Sequence, residues 1–187
     1  MPSNSVWASG SWPSTEIVSQ PDMRSVDEVR AYAETLRHIL RYLGVNSGNL
    51  EKGLMRIEPN ISIRPVGSTE FGTRTEVKNL NSFRALERAV NYQIALQIEK
   101  MKRGETVRQE TVGWDESKGV TFSQRGKEEA HDYRYFPDPD LVPVILEKEE
   151  IAKRREALPE LPDMKRHRFV KQYGVTEYDA VNLCSSP

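Results

Sequence analysis

Between Ser25 and Leu43 apolar residues return every third or fourth position. Val29, Tyr32, Ala33, Leu36, Ile39, Leu40 and Leu43 form one stripe that closes at Gly44. This is the 3.6-residue period of an amphipathic helix, and Ser25 followed by Glu28 spells a capping box at its start. From Leu54 to Arg64 the period falls to two, with Met55, Ile57, Ile61 and Ile63 alternating with Arg56, Glu58, Asn60, Ser62 and Arg64. A half-buried strand fits this pattern, and Pro59 places it at an edge or a bulge. After a turn at Val66-Gly67-Ser68 a second alternation sets Phe71, Thr73, Thr75 and Val77 against Arg74, Glu76 and Lys78. Together the two runs predict a hairpin that pairs even with even positions, because a one-residue slip would drive charges into the core. Ser82 can cap a second long helix whose stripe is Phe83, Leu86, Val90, Ile94, Ile98 and Met101, with Gly104 as its stop. A second predicted hairpin runs from Thr106 to Trp114 and from Val120 to Arg125 around the turn 115–119.

The ends carry weaker patterns. Residues 1–13 show neither period and read as a flexible leader, and Thr15 to Ser19 has the propensity of a short strand. Beyond Leu146 the chain becomes charged and helical, breaks at Pro159 and Pro162, and resumes as a helix from Lys165 to Lys171. The expected architecture is α+β, an antiparallel sheet with flanking helices over 14–146, followed by the start of a helical domain over 147–187.

Composition narrows the function classes. Lys and Arg number 27 against 28 Asp and Glu, so net charge alone implies no one-sided electrostatic partner. The single cysteine, Cys184, excludes a disulfide framework or a Cys-rich zinc site within the chain and fits a reducing compartment. No apolar run approaches the roughly 18 residues that a membrane span needs. The mean hydropathy of -0.66 is lean for a free-standing domain and suggests that partners cover part of the surface. There is no GxxxxGK[ST], no GxGxxG and no GxSxG, which removes P-loop, Rossmann and nucleophile-elbow chemistry.

What remains is the mixed-sign strand face. A carboxylate such as Glu58 beside Arg56, Arg74 and Lys78 can hold Mg²⁺ while the cations meet phosphate oxygens, the division of labour that phosphoryl transfer requires. The plainer reading is a solvated face, which pattern alone favours. Glu16 is either an exposed edge residue or an oxygen ligand for a hard cation. The segment His131 to Asp140 is either a polar site, with Asp132 orienting or pairing with Arg134 over Tyr135 and Phe136, or an aromatic loop sealed by prolines. Lys165-Arg166-His167-Arg168 with Lys171 either meets RNA phosphates or is a solvated helix face.

Several strings in fixed order add a resemblance. Glu16-Ile-Val-Ser-Gln-Pro-Asp-Met-Arg-Ser25, Arg56 to Pro65 with Asn60-Ile-Ser, Phe71-Gly-Thr-Arg74, and Lys78-Asn-Leu-Asn-Ser-Phe83 come first. Gln109-Glu-Thr111, Trp114-Asp-Glu116 and Lys127 to Pro137 with Pro139-Asp140 follow. Over roughly residues 16–183 the chain resembles the B-subunit family of the aspartyl/glutamyl-tRNA(Asn/Gln) amidotransferases. The resemblance implies an ATP- and Mg²⁺-dependent kinase of misacylated aminoacyl-tRNA, working with an amidase A subunit that supplies ammonia and a small C subunit. It also implies that 14–146 is the second half of a cradle similar to glutamine synthetase, and it favours the functional reading of the charged face. By resemblance Glu16 and Glu58 are metal ligands, and Arg56, Arg74 and Lys78 contact nucleotide. Lys78, Asn79, Arg125, His131, Asp132 and Arg134 line the catalytic cradle. Glu58 stands where many members carry aspartate, one methylene shorter. The Glu-Val-His and His-Met-Glu-Glu-Asp motifs of the family's first half have no counterpart in residues 1–15, and its C-terminal helical and tail domains stop almost as they begin, so a chain truncated at both ends is expected, with a cytoplasmic or organellar location.

Overall fold

The computed structural model describes residues 15–124, 142 and 145–187. Its elements are helix α1 (Val26–Tyr42), strands β1 (Asn60–Ile61) and β2 (Thr75–Lys78), helix α2 (Phe83–Lys102) and strands β3 (Glu110–Asp115) and β4 (Val120–Ser123). Helices α3 (Lys148–Glu156), α4 (Pro162–Tyr173) and α5 (Glu177–Leu183) follow. The capping box forms as the sequence predicts: Glu28 N–H donates to Ser25 Oγ at 3.2 Å while the Glu28 carboxylate accepts from Ser25 N–H. At α2 the Ser82 hydroxyl accepts from Ala85 N–H at 3.0 Å.

Spatial order in the sheet is β1-β2-β3-β4. β1 and β2 pair antiparallel with Asn60 opposite Glu76, the even-to-even register expected, but the ladder is short. Beyond it the chains stay close without a ladder. A Cβ on Gly72 would collide with the Ile63 carbonyl oxygen, so only glycine permits that approach. The turn holds through Ser68 N–H donating to Pro65 O at 3.1 Å, with Gly67 at φ 87°.

Three expectations are corrected. The sheet is not wholly antiparallel: β2 and β3 pair in parallel, Val77 opposite Val112, with α2 as the crossover. A twenty-residue helix returns the chain to the end of the sheet where β2 began, so the next strand runs the same way. Phe71 and Thr73 do not continue the buried face of β2; Phe71 is 57% exposed. Thr15 to Ser19 forms no strand, and Ile17 and Val18 face solvent.

α2 covers one face of the sheet. Ala85, Leu86, Ala89 and Val90 pack with Ile61, Val77, Leu80, Val112 and Trp114, and α1 joins through Ala33. The stripe read from the sequence is rotated, because Ile98 and Met101 at its far end are exposed while Gln93 and Gln97 are buried. Small residues let the helix approach the sheet, and each glutamine finds a partner there. Gln93 Nε2 donates to Thr121 Oγ1 at 2.7 Å and Gln97 Nε2 donates to Ile61 O at 3.0 Å.

α1 also meets α4 and, through its last turn, the end of α5. The buried Tyr42 hydroxyl lies 2.9 Å from both Cys184 O and Ser186 O, and the Lys165 ammonium sits 5.1 Å from the Tyr42 ring centre. His38, Arg166 and Cys184 line a cavity of about 70 Å³ at this junction. Burial first, then the charges of Arg41 and Arg37, hold the His38 imidazole below its ordinary pKa.

Candidate functional site

The face of the sheet opposite α2 is built by alternation. β2 buries Thr75 and Val77 and turns Glu76 and Lys78 the other way. Residues paired across strands share a face, so the registers assemble two rows. In one, Lys78 lies opposite Gly113 and Gly113 opposite Phe122. In the other, Asn60, Glu76 and Thr111 are in line, and Gln124 N–H donates to Thr111 O at 3.2 Å to extend the row. Val77 N–H donates to Pro59 O at 3.0 Å, which continues the β1–β2 register and sets Glu58 beside Lys78.

Side-chain contacts follow from this placement. Lys78 Nζ stands 3.6 Å from Glu58 Oε2 and 3.9 Å from Glu76 Oε2. Thr111 Oγ1 donates to Glu76 Oε2 at 2.9 Å, which fixes that carboxylate. All three charged side chains are between about a quarter and two-fifths exposed, so the cluster is open to a ligand and its ion pairs are screened. Asn79, immediately after, takes a left-handed φ of 64°, the only positive φ outside glycine among the described residues. Asparagine tolerates this region well, and the turn separates the exposed Lys78 row from the buried Leu80.

The other sequence candidates divide. Arg56 and Arg74 are exposed and make no ion pair among the described residues. Arg64 instead braces the hairpin turn, donating to Thr69 O at 2.9 Å with its guanidinium 4.9 Å from the Phe71 ring centre. Glu16 is exposed in irregular chain. Arg125, His131, Asp132 and Arg134 lie outside the described residues. Among the described residues no three His, Cys, Asp or Glu side chains come together as a metal cluster. Carboxylate oxygens are nevertheless the donor type that a hard cation takes, and Glu58 and Glu76 present them on one face.

Two further motifs make contacts within the fold. Arg88 pairs with Glu116, and Trp114 Nε1 donates to the same carboxylate. Asp115 accepts from Ser117 N–H, Ser117 Oγ and Lys118 N–H, and these bonds lower its pKa. The basic stretch on α4 is largely committed. Arg168 is bidentate to Glu160, Arg166 pairs with Asp163 at 3.2 Å, and Lys165 packs over aromatic rings. The sequence reading missed Phe122, Gly113, Thr111 and Gln124 on the polar face; only the period-two pattern of β3 and β4 could have found them.

Comparison with known proteins shows the family. The profile described as the GatB/GatE catalytic domain matches residues 9–152. The B subunit of the aspartyl/glutamyl-tRNA(Asn/Gln) amidotransferase of Thermodesulfovibrio yellowstonii is 56% identical over 168 residues, 90% of this chain and 35% of the relative. Its counterpart in Herpetosiphon aurantiacus is 55% identical over 91% of this chain and 35% of the relative. That of Caldicellulosiruptor saccharolyticus is 53% identical over 93% of this chain and 36% of the relative. The chain thus spans about a third of the length of these curated relatives, and with a profile match over well more than half of its residues it belongs to the GatB/GatE catalytic domain family.

Proposed function

We propose that the chain supplies one wall of a site that phosphorylates the side-chain carboxylate of misacylated Glu-tRNA(Gln) or Asp-tRNA(Asn) at the expense of ATP. The observation that carries this reading is Lys78, set between Glu58 and Glu76 on the one sheet face that α2 leaves open. A carboxylate is a poor acyl donor until one oxygen becomes part of a phosphate leaving group. Its oxygen attacks the terminal phosphorus of ATP and ADP leaves; ammonia from an amidase A subunit then attacks the acyl carbon and phosphate leaves, giving the amide. A small C subunit completes the proposed assembly. The described chain offers no nucleophilic triad of its own, which fits ammonia arriving from elsewhere.

Each residue has a part in this proposal. Lys78 would meet the outer phosphates, and Arg56 and Arg74, exposed beside the hairpin, would add positive charge along their path. Asn79 would hold the nucleotide or the acyl-adenosine through its amide. Glu58 and Glu16 would hold Mg²⁺, whose chemistry is to offset the charge of the phosphate oxygens. Arg125, His131, Asp132 and Arg134 retain the roles that resemblance gives them. Among the described residues no helix is long and apolar enough to cross a membrane, and the proposed location is the cytoplasm or an organelle interior.

The test is ADP release from ATP and Mg²⁺ in the presence of misacylated tRNA, with and without the A and C subunits. Release is expected only with the partners, and Lys78→Met is expected to lower it by about two orders of magnitude, the scale of losing one preorganised charge at a transition state. Unchanged turnover in Lys78→Met would overturn the assignment. A second reading, a non-catalytic module that binds tRNA or the A subunit, draws on exposed Val18, Val66 and Phe71. Binding of either partner with no ADP release in the full assembly would favour it.

A further inference from the structure

Lys78 stands beside two carboxylates and is hydrogen-bonded to neither. Its ammonium lies 3.6 Å from Glu58 Oε2 and 3.9 Å from Glu76 Oε2, beyond the reach of about 2.7–2.9 Å at which a charge-assisted hydrogen bond forms. Glu76 and Lys78 are two residues apart on β2, so their side chains leave the same face and are long enough to meet. The reason they do not meet lies on the next strand. The parallel register sets Thr111 of β3 beside Glu76, and the threonine hydroxyl donates at 2.9 Å to Oε2, the same oxygen that faces Lys78. Among the described residues this is the one hydrogen bond that the Glu76 carboxylate accepts.

The relative strengths decide whether that bond matters. Glu76 and Lys78 are both partly exposed, so a close ion pair between them would be screened and worth no more than one net hydrogen bond. A single hydroxyl is therefore enough to tip the carboxylate between two positions, tied to β3 or closed on Lys78. The β-branch of threonine restricts χ1, which presets the direction of the hydroxyl. We infer that Thr111 is a positioning residue: by tying Glu76 to β3 it prevents a close ion pair and leaves the Lys78 ammonium available to a phosphate. This inference rests on the proposed role of Lys78 toward the outer phosphates, and it names what sets the strength of that contact.

The test is titration of the full chain with inorganic tripolyphosphate in the absence of divalent cations. Thr111→Val keeps the β-branch and the strand propensity, so its melting temperature should match that of the parent. It is expected to weaken tripolyphosphate binding roughly 3- to 10-fold, the scale of one net hydrogen bond. Thr111→Ser, which keeps the hydroxyl, is expected to bind as the parent does. In a Glu76→Ala chain, where no carboxylate remains to close on Lys78, Thr111→Val is expected to have no further effect. Parent-like binding by Thr111→Val, a loss in Thr111→Ser as large as in the valine variant, or a loss that persists in the Glu76→Ala chain would each overturn the inference while the phosphate role of Lys78 stands. If the parent does not bind tripolyphosphate, that phosphate role fails, and crystal structures of the parent and Thr111→Val decide the positioning role. A Glu76 oxygen within about 3.2 Å of Lys78 Nζ in the variant alone supports it, and an unchanged separation overturns it.

Discussion

Two buried glutamines show how single side chains set the fit between α2 and the sheet. Gln93 meets Thr121 Oγ1 on β4, and Gln97 meets the Ile61 carbonyl on β1, so one helix is tied to both edges of the sheet. Removing one partner of a buried bond leaves the other unsatisfied, at about 1–3 kcal/mol, whereas replacing both with apolar groups of similar shape is nearly neutral. We therefore predict that Gln93→Leu destabilises the chain by about 1–2 kcal/mol in denaturant titrations and that adding Thr121→Val recovers most of the loss. Strictly additive effects would show that the amide does not depend on the hydroxyl. These positions were hidden in the sequence because a helical stripe drawn through Leu, Ile and Met ignores amides. The physical demand was for small side chains and bonded polar groups facing a sheet whose edge carbonyl and hydroxyl needed donors.

The helices were legible and the sheet direction was not. Ser25 with Glu28 and Ser82 with the following apolar run give helix starts that local chemistry determines, and the structure places both caps at those residues. Ser82→Ala is predicted to cost about 1 kcal/mol and Ser82→Asp to restore it, read as midpoint shifts in urea. Equal stability of the alanine variant and the parent would mean that packing alone fixes that helix start. Alternation, by contrast, specifies which face a strand buries and says nothing of which neighbour it joins. That is why Glu58, Glu76 and Lys78 could be placed on one face from the sequence while the parallel pairing of β2 with β3 could not. Phe71 was misplaced for a related reason: the alternation runs on past the point where Gly72 brings two backbones too close for a regular ladder.

On the scale of the whole molecule the C-terminal helices are joined to the α/β unit through a titratable contact. His38 is held below its ordinary pKa by burial and by Arg41 and Arg37, with Glu34 opposing, while Arg166 faces the same cavity from α4. The neutral ring is thus favoured in the folded chain, so its contribution to stability is intact above about pH 6.5, the unfolded value. That contribution is lost as pH falls through the lower folded value. His38→Gln is predicted to flatten thermal stability between about pH 7 and pH 5; an unchanged slope would assign it to other groups. Exposed Val18, Val66 and Phe71 also predict that the isolated chain self-associates or captures a partner, checked by sedimentation over a concentration series. A monomer at all concentrations, indifferent to the A subunit, would exclude this. One detail of the same junction makes its motion measurable. Cys184 is 5% exposed, and its own carbonyl lies against the Tyr42 hydroxyl, so separation of α5 from α1 bares the thiol to a reagent. In this chain with a single sulfhydryl, the rate of alkylation becomes a clock for that local opening, readable without any added probe and independent of catalysis.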